Sequence, residues 1–331
     1  MTTLGIGGPA QFYAEATSED EIEAAVRWAR GRAMPLFVLG GGSNLLVADG
    51  GFDGLVIRVG LKGVAQAETD EGLFHVAAGE DWDGFVQRAV EGGFAGVECL
   101  AGIPGTVGGT PVQNVGAYGQ EVAETIKRVR VLDLETLEFR EMSREECGFS
   151  YRSSLFNTVG RGRYLVTRVD FRLCPGGRAK VSYGDVQREF GGVDEPDLAT
   201  VASTVRQIRR SKGMLLVEGD ADCRSAGSFF KNPLVNQEQL EGISNRLGLR
   251  PPVYPAGDGM VKLPAAWLIE RAGFSKGFRL GRVGISSRHT LALVNLGGAT
   301  AVEMLAMRDL IVERVETLGV HLEMEPVLLG F

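Results

Sequence analysis

Glycine supplies 47 of the 331 residues and falls in clusters with no fixed period. A strict period would mean a collagen-like helix or a solenoid, whereas clusters set between apolar runs mean loops in which bare backbone approaches a ligand or another segment. Two clusters dominate. Gly40-Gly41-Gly42-Ser43-Asn44 follows the short apolar run Leu36–Leu39 directly, and a longer stretch covers 101–119. The second is too interrupted for regular structure, and a long loop inside a compact domain is usually functional. With 44% hydrophobic residues, a chain of this length can bury two or three cores.

Periodicity places the elements around these loops. Ser18 and Glu21 make a capping box for a helix whose Ile22, Val26 and Ala29 share a face, ended by Gly31. This helix opens a βαββ-like unit from about residue 11 to 60. Strands follow near 73–77, 129–134 and 164–173, with a helix near 81–91. In the last of these strands Leu165, Val169, Phe171 and Leu173 alternate with Arg168, Asp170 and Arg172, so one buried and one wet face are expected. The glycines at 176–177 and the segment 191–196 punctuate the passage to a third unit. That unit opens with a helix from about 196 carrying Leu198, Val201, Val205 and Ile208, and continues through the Pro/Gly-rich stretch 251–259. It closes with a helix capped by Thr300 and Glu303, whose Met304, Met307, Ile311, Val315 and Leu318 form a core-facing stripe. Gly319 stops it, and 323–329 reads as a final strand.

Several function classes drop out. A net charge of -7 argues against nucleic-acid binding, which needs dense Lys/Arg patches. Cys99, Cys147, Cys174 and Cys223 lie far apart, without paired spacing for zinc or a redox disulfide, and read as reduced, partly buried thiols. The three histidines, His75, His289 and His321, have no partner one helical turn away, so no metal site is expected. No apolar run approaches the roughly 18 residues of a membrane span, and no secretory leader is visible, so a cytoplasmic protein without membrane contact is expected.

The loops themselves suggest ligand chemistry. Three successive glycines after a strand let N–H groups converge on an anion such as pyrophosphate; a tight turn between strands is the plainer reading. No Gly-Lys dipeptide exists, so a Walker A loop is excluded, and the only approximation to a dinucleotide fingerprint, from Gly5 to Ala10, has no room for a preceding strand. The 101–119 stretch combines glycines with Gln113, Asn114 and Tyr118, and can wrap a large flat ligand or form a rigid structural loop. Arg152, beside Tyr151, could clamp a carboxylate with its planar guanidinium or serve as an ordinary salt-bridge partner.

Taken in order, GGGSNLL at 40–46, AGIPGTVGGTPVQNVGAYGQEV at 101–122 and SAGSFFKNP at 225–233 resemble the MurB family, and the resemblance covers essentially the whole chain. It implies an α+β fold of three domains. Residues 1–60 and 61–196 would form a FAD-binding fold of the vanillyl-alcohol-oxidase type (PCMH-type), and 197–331 a substrate domain whose last strand, 323–331, returns toward the flavin. It implies NADPH-dependent reduction of UDP-N-acetylglucosamine enolpyruvate to UDP-N-acetylmuramate for peptidoglycan, with FAD as cofactor, NADPH as co-substrate and the chain a monomer.

The same resemblance assigns residues. Gly40, Gly41, Gly42, Ser43 and Asn44 would hold the flavin's pyrophosphate. Gly102, Ile103, Pro104, Gly105, Thr106, Val107, Gly108, Gly109, Asn114, Gly116, Ala117 and Tyr118 would hold the rest of it. Arg152, Ser228 and Glu325 are the implied catalytic residues, and Tyr183, Lys212, Asn232, Lys262 and Glu270 the implied substrate contacts, with Tyr183 on a lid. Thr2-Thr3 stands where the family usually has Asn-Thr, and 213–224 is variable there. Two rivals remain. One is a related flavoprotein oxidising a hydroxy acid or sugar, disfavoured because neither glycine loop carries the His or Cys used for covalent FAD attachment. The other is a non-catalytic UDP-sugar binder, disfavoured by the intact Arg152, Ser228 and Glu325.

Overall fold

The computed structural model describes residues 2–191, 195–257 and 259–331, which form two compact units. One comprises 10–42 with 53–210, and the other 1–9, 43–52 and 211–331. The division differs from the three sequential blocks expected, because the segments at 1–9 and 43–52 join the C-terminal residues. The linker at 191–196 has its residues 192–194 outside the described residues, as is residue 258 of the 251–259 stretch.

The unit built on 10–42 and 53–210 holds two sheets. In the smaller, the strands run in the order Ala10–Ala16, Phe52–Val59, Leu36–Leu39, the last two parallel with Leu36 opposite Leu55 and Leu39 opposite Arg58. Helix α1 (Glu19–Arg30) buries Ile22, Val26 and Ala29 as its spacing requires, and Ser18 accepts the Glu21 N–H. The box is not closed on Ser18, since the Glu21 carboxylate reaches the N–H and hydroxyl of Thr17. A strand, not the helix, opens this region: Ala10–Ala16 is an edge strand, mostly exposed, so its side chains carry no apolar alternation to read.

The larger sheet is antiparallel and five-stranded, in the order Glu138–Ser143, Ile126–Asp133, Tyr164–Arg172, Asp70–Ala77, Val64–Ala67. The central strand Tyr164–Arg172 does not have the wet face expected of it: Val166, Thr167 and Asp170 are buried. Flanking strands cover both edges, and Asp170 is satisfied there by Arg168 Nε and His75 Nδ1, each at 2.8 Å. Against the sheet's aromatic side lies α2 (Trp82–Glu91), capped by Asp81, with Trp82 5.8 Å and Phe85 5.1 Å from Phe171 between ring centres. Burying such a ring contributes roughly 1.5–3 kcal/mol. A short α3 (Gly184–Phe190) and α4 (Leu198–Ser211) complete the unit, α4 burying Leu198, Val201, Val205 and Ile208 as its spacing indicates.

In the other unit, strand Leu45–Val47 runs parallel to Val327–Leu329, and a three-stranded sheet of Arg279–Leu280, Val283–Ile285 and Leu293–Asn295 packs with α5 (Gln237–Leu247), α6 (Ala265–Arg271) and α7 (Ala301–Glu316). The final strand is shorter than the 323–329 expected. Helix α7 buries Met304, Met307, Ile311 and Val315 around Phe229, Phe230 and Leu268, and Leu318 lies beyond its end. Its N-terminus is held twice, by Thr300 and by Asp49, whose carboxylate takes the Ala301 and Val302 N–H groups, as a helix dipole favours.

Glu303 closes the capping box on Thr300 and also receives Arg282. The Arg282 guanidinium and the Thr300 N–H hold its carboxyl down to about 2, from an ordinary 4.5. A carboxylate depressed in the folded state stabilises above its unfolded value and loses that contribution as pH falls toward 2. Glu303→Gln is therefore expected to lower the thermal midpoint at pH 7 and to narrow its gap from wild type between pH 4.5 and 2. Thermal scans over that range check it, and a gap independent of pH would contradict it.

Candidate functional site

The first glycine loop leaves the end of strand Leu36–Leu39. The N–H groups of Gly41 and Gly42 have no acceptor among the described residues, although Gly42 is buried. A β-carbon on Gly40 would stand 2.8 Å from the Thr106 hydroxyl, and one on Gly41 2.6 Å from the Gly105 Cα. The two glycine loops thus touch backbone to backbone, and only glycine permits the approach. Unsatisfied donors on side-chain-free backbone suit a phosphate, so the residues present fit the pyrophosphate of FAD.

The second loop is held from below. Val107 N–H bonds the Glu80 carbonyl at 2.9 Å and Gly108 N–H the Ala78 carbonyl at 2.8 Å, while a β-carbon on Gly108 would meet the Ala78 methyl at 2.6 Å. Gly102, at φ +73°, is gripped at both ends of its backbone. Its N–H donates to Asp83 Oδ1 at 2.6 Å and its carbonyl accepts from Arg209 Nε at 3.0 Å. Arg206 holds the other Asp83 oxygen. Burial pulls the Arg209 guanidinium below its ordinary value, opposed by Tyr118 and Asp83.

Ile103, Pro104, Gly105 and Thr106 are half-buried, and Gly109 is exposed. Asn114 is buried at φ +46°, its amide donating to Glu121 and the Ser150 carbonyl and accepting the Ala123 N–H. Its side chain shapes the loop that carries Gly116, Ala117 and Tyr118. Burial pushes the Tyr118 phenol up to about 12.

Arg152 sits in a tight turn in which Ser150 and Ser153 exchange both backbone hydrogen bonds. Its φ is +54°, a left-handed conformation uncommon for residues that carry a side chain. The guanidinium donates from Nη2 to the Gly116 carbonyl at 2.7 Å, so the arginine is brought onto the second glycine loop.

The other unit brings Ser228, Glu325 and Asn44 together. Phe229 N–H bonds the Leu291 carbonyl, and the Phe229 carbonyl accepts the Glu325 N–H at 2.9 Å, which sets Glu325 beside the residue that follows Ser228. Asn44 Nδ2 donates to the Glu325 carbonyl at 3.1 Å, and the Asn44 carbonyl accepts from Val327. Ser43 is tied through its carbonyl to the Thr3 hydroxyl. The Ser228 hydroxyl has no hydrogen-bond partner among the described residues.

The remaining candidates scatter. Asn232 Oδ1 takes the Ala265 N–H at the start of α6, and Lys262, on strand Val261–Lys262, pairs with Leu234 and Tyr254. Glu270 is exposed on the last turn of α6 and accepts the Thr290 hydroxyl. Lys212 is half-buried just after α4, and Tyr183 precedes α3, its ring edge-on to Tyr118 at 5.6 Å. The stretch 213–224 is pinned by Asp220 and Asp222, which hold Arg288 and Ser287. Asp83, Arg206 and Arg209 were not foreseen; position 209, four after Val205 on the apolar stripe of α4, was the available signal. Among the described residues no cluster of His, Cys, Asp or Glu could hold a metal, and no helix is long and apolar enough to cross a membrane.

Comparison with known proteins decides the kinship. Residues 10–137 match the family model of a FAD binding domain, and 219–329 that of the UDP-N-acetylenolpyruvoylglucosamine reductase C-terminal domain. UDP-N-acetylenolpyruvoylglucosamine reductase of Thermobifida fusca is 47% identical, over 99% of this chain and 95% of that protein. The chain belongs to the UDP-N-acetylenolpyruvoylglucosamine reductase (MurB) family. The enzyme of that name from Cupriavidus pinatubonensis is 41% identical over 99% of this chain and 96% of its own. The crystal structure of MurB from Thermus caldophilus matches with a TM-score of 0.67 at 29% identity, covering 99% of this chain and 96% of that one. The α+β fold expected from the resemblance to this family is therefore the fold observed.

Proposed function

We propose that this chain reduces UDP-N-acetylglucosamine enolpyruvate to UDP-N-acetylmuramate with NADPH, as a cytoplasmic monomer. Full-length kinship to reductases of that name supports the reaction. The single structural observation that carries it is the contact of two side-chain-free loops, with unsatisfied N–H donors at Gly41 and Gly42. FAD held there would supply the hydride chemistry, with NADPH as the reductant.

The chain's own residues do the rest. An enol ether is a poor hydride acceptor, because negative charge builds across its C2 and carboxylate. Arg152 holds that carboxylate with a planar cation, and Glu325 supplies a hydrogen bond or shared proton to the developing charge. Ser228 delivers a proton to C2. Tyr183, Lys212 and Asn232 bind the diphosphate and sugar, with Lys262 and Glu270 as further contacts. In this reading residues 1–196 hold the flavin, with Arg152 and Tyr183 among them also serving the substrate, and 197–331 supply the other substrate contacts.

The purified protein is expected to be yellow, to bleach on NADPH and to recover its colour when the enolpyruvyl substrate is added. A visible spectrum at each stage tests this. Bleaching without recovery would point to a flavoprotein with another acceptor, and a colourless protein that takes up no FAD would refute the reading.

A further inference from the structure

Glu98 is a wholly buried carboxylate with no part in the chemistry above. It lies in the 3-10 turn Glu98–Leu100, immediately before the second glycine loop. Its oxygens accept three N–H groups from three segments. Oε2 takes Gly96 N–H at 2.8 Å, and Oε1 takes both Gln120 Nε2 at 2.7 Å and Lys180 N–H at 2.8 Å. Gln120, also buried, returns its carbonyl oxygen to the Cys99 N–H at 2.8 Å. The Lys180 carbonyl in turn accepts the Cys99 thiol at 3.1 Å. Both backbone groups of Lys180 are thus bound to one turn.

Three residues further on is Tyr183. Its ring meets Tyr118 edge-on, with an interplanar angle of 87°. Gly119 lies at φ +86°, and a β-carbon there would come within 2.7 Å of the Ser182 hydroxyl, so the segment leading to Tyr183 rests directly on the glycine loop. Between Pro175 and Gly184 the chain has no helix or strand of its own to fix it. Its position comes from these contacts together with the Lys180 ammonium on Glu124 and the Gln187 amide on the Val181 carbonyl.

We propose that Glu98 is a positioning residue for substrate: through the Lys180 amide its buried carboxylate fixes the segment that presents Tyr183 against the flavin loop. This rests on the reading of Tyr183 as a substrate contact. A carboxylate is suited to the task because it accepts several N–H groups at once, whereas an amide must turn donors toward one of them. Losing the bond to the Lys180 amide loosens the tyrosine, and losing the bond to Gln120, whose strand pairs with Ala117, bears on the loop as well, so flavin affinity is measured alongside.

The test is a double-mutant cycle on the KM for UDP-N-acetylglucosamine enolpyruvate at saturating NADPH, using the flavin-loaded full chain. Tyr183→Ala is expected to raise KM about tenfold or more, and Glu98→Met, which keeps the volume and removes both acceptor oxygens, about fivefold, less than the roughly tenfold of a whole charged hydrogen bond because only the tyrosine's placement is lost. Once loaded with flavin, Glu98→Met should keep a normal rate of flavin reduction by NADPH. The double variant should have the KM of Tyr183→Ala alone, since Glu98 acts through that ring. An unchanged KM in Tyr183→Ala would remove the substrate reading itself. A raised KM there with none in Glu98→Met, or effects that multiply in the double variant, would overturn the role of Glu98 while leaving Tyr183 in place. Should Glu98→Met fail to fold, amide exchange in the wild-type chain decides: the Lys180 N–H is expected to be protected, and free exchange there would overturn the proposal.

Discussion

Replacing Ser228 with alanine is expected to leave flavin reduction by NADPH near its normal rate and to slow the reoxidation of that flavin by the enolpyruvyl substrate by about 10² to 10⁴. The asymmetry comes from what each half needs. The first moves a hydride and asks nothing of a hydroxyl, while the second must also place a proton on carbon. A serine hydroxyl is a weak acid, yet it serves when the acceptor is a strongly basic carbanion at hydrogen-bond distance. The geometry makes the substitution clean. Ser228 Oγ bonds no other group among the described residues, and the segment is set by Phe229, whose N–H and carbonyl are held by Leu291 and Glu325. Removing one oxygen therefore disturbs no hydrogen bond among the described residues. Stopped-flow absorbance of the flavin separates the halves, and equal slowing of both would show that Ser228 acts on the cofactor's environment and not as a proton donor.

The same contrast between backbone and side chain explains what could be read beforehand. Helices α1, α4 and α7 were legible because caps and apolar stripes are local: Ser18, Thr300 and Glu303 lie within a few residues of what they bond. The glycine loops were legible as loops because absence of a side chain is itself a pattern. Their mutual contact was not, since Gly41 and Gly105 meet only after the strands between them have folded. Buried polar groups were the hardest. Asp170 looked solvent-facing until Arg168 and His75 enclosed it. Glu98 sits in an apolar run, and the donors that justify its burial come from Gln120 and Lys180, the latter 82 residues away. The grouping of 43–52 with the C-terminal residues has the same origin, since strand Leu45–Val47 finds its partner in Val327–Leu329. Long-range pairing leaves no periodicity in either segment.

Gly41→Ala is expected to weaken FAD binding about ten- to a hundredfold and to leave the chain folded. The added methyl would stand 2.6 Å from the Gly105 Cα and 3.0 Å from its carbonyl carbon, so backbone must move, and no flexible side chain is there to yield. Forcing a methyl into a filled contact costs about 1–3 kcal/mol, and each 1.4 kcal/mol is tenfold in affinity. The cost falls on flavin binding because the displaced atoms are backbone of the loops whose N–H groups would face the pyrophosphate, and neither Gly41 nor Gly105 contributes a side chain to the hydrophobic core. Gly50→Ala is the matched control: nothing lies within 4 Å of the methyl it would add. Titration of the flavin-free protein with FAD, followed by fluorescence quenching, measures both. Equal affinities for the two variants would mean that the contact between the glycine loops does not shape the cofactor site, whereas loss confined to Gly41→Ala ties flavin affinity to that one backbone approach.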